Sequence, residues 1–165
     1  MITRVAKLLL LAGLAFFYLL VAFNNLTDFD SNYEFVKHVL TMDTTFPGNH
    51  GMWRALPGAR IHLAFYLGII AWEIANTILL WWGVVRMVRS LKLSAAAFNT
   101  AKGLAVLALT LSMTMWLVAF LSVGAEWFLM WQSRMWNGQE AAFRMFTVVG
   151  VILLIFLQPD AEGQP

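Results

Sequence analysis

The sequence predicts an all-α membrane protein built as a four-helix transmembrane bundle, and three observations carry that prediction. Of the 165 residues, 61% are hydrophobic and 12% charged, whereas soluble domains carry about 25% charged residues. Four stretches are long, apolar and almost free of charge. The tryptophans gather beside the ends of those stretches, where amphipathic rings favour the headgroup layer.

The four stretches meet the length requirement in different degrees. Residues 5–23 hold one charge, Lys7, at the entry; 61–85 hold one, Glu73; 103–124 hold none; 141–157 hold one, Arg144. Crossing about 30 Å of hydrocarbon takes about 20 helical residues at about 1.5 Å each. The fourth stretch is the shortest, but 148–157 contains no polar side chain, which favours a fourth crossing. This gives one transmembrane domain over 1–159, with spans near 5–25, 60–85, 101–124 and 140–157. An outer loop covers 27–59, and 160–165 are expected to form a disordered tail. Arg4 and Lys7 ahead of a leucine-rich run also resemble a signal peptide. No small-x-small cleavage site follows, so the segment is expected to be an uncleaved anchor.

Lys and Arg concentrate on the cytoplasmic side of membrane proteins. The connection 86–102 is dense in them, with Arg86, Arg89, Lys92 and Lys102, whereas Lys37, Arg54, Arg60, Arg134 and Arg144 are spread through the other connections. The expected topology has both termini in the cytoplasm. Trp81 and Trp82 then fall at the inner end of the second span, and Trp53, Trp127, Trp131 and Trp136 outside.

The first outer loop carries a helix signal. Ser31 and Glu34 fit a capping box, and Phe35, Val36, Val39 and Leu40 recur at helical spacing opposite Lys37, His38 and Thr41. A short amphipathic helix is expected there, ended by Phe46-Pro47-Gly48. In the second outer loop, 125–138, Trp127 and Trp131 lie one turn apart and suit a second interfacial helix.

This loop also carries a resemblance. Asn24-Asn25, Asn32, Phe35-Val36, His38, the string MDTTFP at 42–47 and Trp53-Arg54-Ala55 together resemble a bacterial family of small integral membrane proteins grouped as a domain of unknown function. The resemblance runs from the first span to the last. It implies four spans, bacterial origin and a cytoplasmic-membrane address, and no activity.

Glu73 is the most informative residue. A charge near the bilayer centre costs about 2.5 kcal/mol or more, so it is expected to face protein or water. At about 100° per residue, His62, Tyr66, Ile69, Glu73 and Asn76 share one face, while Ala64, Gly68, Ala71 and Ala75 form a small-residue face where another helix can approach. Thr110 and Thr114 on the third span lie at the depth of Glu73 and are its expected hydrogen-bond partners. Arg54 and Arg60 flank the mouth of the second span and are candidate lipid or quinone headgroup contacts. Glu140 and Arg144 are spaced as a helical ion pair.

Several chemistries are excluded or disfavoured. Without cysteine there are no disulfides, thiolate metal sites or thiol catalysis, and a net charge of +2 is too small to indicate nucleic acid. Bundle haem needs two facing histidines, but His38 and His50 lie in a loop and only His62 nears a span. A metal site from His38, Asp43, His50 and His62 lacks helical ligand spacing. The run from Asp28 through Asp30 to Asn32 opens like a calcium loop but meets Tyr33 and Val39 where Gly and Glu are needed. No cofactor, metal or catalytic constellation is expected. Three function classes remain: a non-catalytic subunit recognising another membrane protein or a second copy, a proton- or solute-transport element centred on Glu73, and a lipid- or quinone-binding protein.

Overall fold

The structure, a computed structural model, describes residues 1–161. Its helices are α1 (Ile2–Thr27), α2 (Phe29–Thr41), α3 (Ala59–Ser90), α4 (Ala95–Ala101), α5 (Gly103–Thr114) and α6 (Gln139–Leu157). α5 continues into a π-helical stretch, Met115–Trp127. Single 3-10 turns occur at Met52–Arg54 and Met130–Gln132. Four units are long and apolar enough to cross a membrane: Ile2–Thr27, Ala59–Ser90, Ala95–Trp127 and Gln139–Leu157. The last has 19 residues, about 28 Å of helix, close to the thickness of a hydrocarbon core.

α3 is the centre of the bundle. It packs along α1 on one side and α5 on the other; α6 packs along α5 and the π stretch, and meets α1 more sparsely. The buried faces follow helical periodicity. Leu11, Leu14 and Tyr18 of α1 meet Leu80, Val84 and Met87 of α3, Ala105 and Leu109 of α5, and Val149, Ile152 and Phe156 of α6 in one apolar core. Outward residues such as Phe16, Ile78, Leu107 and Leu154 are exposed and apolar, as lipid requires. Lipid tails are as apolar as leucine, so contact between spans depends on close shape packing. One close approach of two spans is at Gly83, where an added Cβ meets the Ala105 backbone at 3.3 Å.

That close approach is not where the sequence pattern put it. Ala64, Gly68, Ala71 and Ala75 all face outward and are exposed, and a Cβ on Gly68 meets nothing within 4 Å. Among the described residues the stripe is not a packing face. The polar stripe occupies the protein side instead, since a helix cannot turn both faces to the same bundle.

At one end of the bundle, α2 folds back over the spans. α1 breaks at Asp28, where the backbone leaves the helical region, and α2 starts at once. Val36, Leu40 and Met42 pack against Tyr66, Ile70 and Phe128, and the Leu56 amide donates to Leu40 O at 2.8 Å. The expected capping box does not form. α2 begins two residues before Ser31, whose hydroxyl donates to Asp28 Oδ2 at 2.8 Å, while Glu34 pairs with Lys37 at 2.8 Å. Nor does the second loop hold a separate helix: the π stretch runs on through Trp127, and Trp131 sits in a 3-10 turn. Among the described residues Glu140 and Arg144 make no ion pair.

The opposite end carries the termini and a charged knot. Lys7 and Lys102 both donate to Asp160 Oδ2 at 2.8 Å and to Gln158 O. Asn99 bonds the Asp160 backbone in both directions, at 2.9 and 3.0 Å. Arg4 donates to Leu91 O and Leu93 O and lies over the Phe98 ring. Asp160 is therefore seated, not the start of a loose tail, because two buried ammonium groups need its carboxylate. Residues 162–165 lie outside those described.

Candidate functional site

The polar stripe of α3 separates into three depths. His62, buried near the loop end, donates from Nε2 to Leu56 O and pins the loop to the start of the helix. Tyr66 and Glu73 come next, and Asn76 lies deepest, donating to Ser112 Oγ at 2.5 Å. All four are buried, as their shared face requires.

Glu73 is held from α1, not from the third span. Asn25 Nδ2 donates to Glu73 Oε2 at 2.5 Å. Asn32 Nδ2 of α2 donates to Asn25 Oδ1 at 2.5 Å, and the Tyr66 hydroxyl lies 3.3 Å from the same oxygen. Asn25 thus joins three helices. The Thr77 hydroxyl bonds back to Glu73 O at 2.7 Å, and Trp116 Nε1 donates to the Tyr18 hydroxyl at 2.8 Å, linking α1 to the π stretch.

The expected partners, Thr110 and Thr114, are corrected. Both are exposed, and their hydroxyls donate to Val106 O and Thr110 O of their own helix at 2.9 Å. A threonine that returns its proton to the preceding turn needs no second helix and tolerates lipid. Ser112 lies about 200° around the helix from either of them and points inward. Asn25 could have been found by the same periodicity, because Leu11, Leu14, Tyr18, Ala22 and Asn25 form the buried face of α1.

Glu73 lines a cavity of about 310 Å³ bounded by α1, α2, α3, the π stretch and the start of α6. Asn24, Asn25, Asn32 and Tyr66 supply its other polar groups, and Phe35, Trp116 and Phe120 its rings. Among the described residues no Lys, Arg or His lines it. Among the described residues Glu73 Oε2 has a hydrogen-bond donor and Oε1 has none. An apolar cavity of about 260 Å³ shares the walls Phe35, Val36, Ile69 and Phe120. A groove between Gly13 and Phe17 of α1 and Met145 and Val148 of α6 ends one turn from Val21, itself a wall of the Glu73 cavity. The sparse α1–α6 seam therefore reaches the site.

A family model described as "Predicted small integral membrane protein (DUF2165)" matches residues 3–159. The chain belongs to that family. No curated protein and no solved structure matches it. Membership agrees with the four spans and names no catalytic activity.

The remaining candidates lie apart from this site. Arg54 is held between the Trp53 and Trp127 rings, 5.3 and 5.0 Å from their centroids, and donates to Trp127 O. Arg60 is exposed. His38 pairs with Asp43 at 2.8 Å and stacks on Trp136. Among the described residues no three His, Asp or Glu side chains converge as metal ligands.

Proposed function

We propose that this protein is a non-catalytic membrane component that binds a small amphiphile in the Glu73 cavity. One observation carries the reading: a buried carboxylate turns an unbonded oxygen into a cavity that abuts an apolar chamber. An ionisable side chain inside the membrane is costly, and a cavity with a few converging polar groups is the usual form of a small-molecule site.

The layer beneath the cavity favours binding over conduction. Past Asn76 and Ser112 the interior is apolar, with Leu11, Leu80, Ala105, Leu109 and Val149 fully buried, down to the Lys7–Lys102–Asp160 knot. A proton or solute path needs polar groups or water across that layer. The cavity is a dead end.

The test fills it. Ala141 is exposed and lines the cavity, so Ala141→Trp should occupy the space without burying a new polar group. Protein purified from native membranes in mild detergent should release an amphiphile on extraction, and Ala141→Trp should not. Equal retention by both would refute the reading.

A second reading, association with another membrane protein or a second copy, draws support from the exposed stripe Ala64, Gly68, Ala71 and Ala75. Small residues let backbones approach, and Gly68→Leu should abolish crosslinking through that face. In both readings the membrane is the bacterial cytoplasmic membrane with both termini inside, as the basic residues at the termini end favour. Reporter fusions after residue 92 and near residue 135 should report opposite sides.

A further inference from the structure

We infer that the molecule the Glu73 cavity takes is a lipophilic cation: an ammonium group on an apolar chain. The inference rests on the amphiphile-binding reading and names the headgroup. Among the described residues lining the cavity, Glu73 is the sole ionisable carboxyl and there is no basic side chain. An anionic headgroup would meet the carboxylate with nothing to neutralise it. A cation supplies the counter-charge that the protein withholds.

The walls fit the same chemistry. Tyr66, Trp116, Phe120 and Phe35 place four aromatic rings around one cavity, and Trp116 and Phe120 lie 4.9 Å apart between centroids. Aromatic faces attract cations, most strongly when water is excluded, and cages of such rings recognise quaternary ammonium groups. Asn25 holds Glu73 Oε2, which fixes the carboxylate and leaves Oε1 for the ligand. The adjacent apolar chamber, walled by Val39, Phe65, Val118 and Phe128, accepts the chain. The π geometry of Met115–Trp127 lines both spaces; π segments often mark functional sites.

The experiment measures binding of radiolabelled decyltrimethylammonium to the purified full-length protein in maltoside detergent, with unlabelled decanol and decanoate as competitors. Saturable binding is expected, with decanol and decanoate competing about tenfold or more weakly. Glu73→Gln, which keeps a group able to bond Asn25, should weaken the cation by about tenfold or more while leaving decanol unaffected. Phe120→Leu, which keeps an apolar wall and removes a ring, should weaken the cation and spare decanol. Decanol binding as tightly as the cation, with Glu73→Gln unchanged, would overturn the cation assignment and leave the amphiphile cavity standing. Absence of saturable binding by all three probes, in wild type that unfolds cooperatively, would overturn both.

Discussion

The bundle buries a carboxylate at each end, and the two are held in opposite ways. Asp160 receives two ammonium groups on one oxygen and two backbone bonds from Asn99. Glu73 receives one neutral amide on one oxygen and faces a cavity with the other. Burial alone raises the Asp160 carboxyl, but hydrogen bonds from Lys102 and Lys7, with their charges, hold it below the usual aspartate value. The charge of the first is balanced by its own chain, as a clasp must be. The second is unfinished by its own chain, which is how a buried acid signals a ligand rather than a brace.

The largest expected effect is at the clasp. Asp160→Ala leaves Lys7 and Lys102 buried without a counter-charge, and breaking a buried pair in this way costs about 3 kcal/mol or more. Thermal unfolding in detergent should show it directly. The pH dependence has a definite sign. A carboxyl whose folded value is depressed stabilises fully above its unfolded value, about 3.9 for aspartate, and loses that contribution as pH falls through the lower folded value. Wild type should therefore lose stability in strong acid more steeply than Asp160→Asn, and equal slopes would place the acid sensitivity elsewhere.

At the other end the expected cost is smaller. Glu73→Leu orphans the Asn25 amide, for about 1–3 kcal/mol. Glu73→Gln should cost less than about 1 kcal/mol because one hydrogen bond can be retained. A loss at Glu73→Gln matching that at Asp160→Ala would mean that the loop-end carboxylate is also a clasp, and the contrast between the two ends would collapse.

What the sequence made legible follows from the physics of each signal. Spans and the buried stripe of α3 were visible because burial, charge cost and helical period act on one helix at a time. Partners were not, because they depend on how helices rotate against one another. Asn25 reaches Glu73 across 48 positions of chain; periodicity sets it on the buried face of α1, apart from the exposed Asn24, but does not say which helix it meets. Lys7 and Lys102 carried a topological meaning and proved also to be structural, since their anchor, Asp160, lies in what composition marks as a tail. The small-residue face was legible as a pattern, but a pattern does not say whether its neighbour belongs to the same chain.

The third span tests this point at positions two residues apart. Ser112→Ala removes the acceptor of the Asn76 amide, and Asn76 Oδ1 already lacks a partner, so the expected loss is about 1 kcal/mol or more. Thr110→Val removes a hydroxyl that bonds only to its own helix, and stability should change by less than about 0.5 kcal/mol. The reverse order would mean that the third span is rotated, bringing Thr110 toward Glu73.

The smallest effect is expected at Ser31, and it separates local from tertiary control of α2. If the capping box set the helix start, Ser31→Ala would cost about 1 kcal/mol. In the folded protein α2 begins at Phe29, inside the corner with α1, and the Ser31 hydroxyl bonds an exposed Asp28 carboxylate. Its backbone is fixed instead by the burial of Val36 and Leu40 against α3 and by the Leu56–Leu40 bond. Ser31→Ala should therefore shift stability by less than about 0.5 kcal/mol and leave amide exchange across 35–40 unchanged. Leu40→Ala should raise that exchange markedly, because it removes a buried side chain and leaves a void where α2 meets the bundle. A large response at Ser31 with none at Leu40 would show that α2 is held by its own first turn, and would leave the roof of the Glu73 cavity without its anchor.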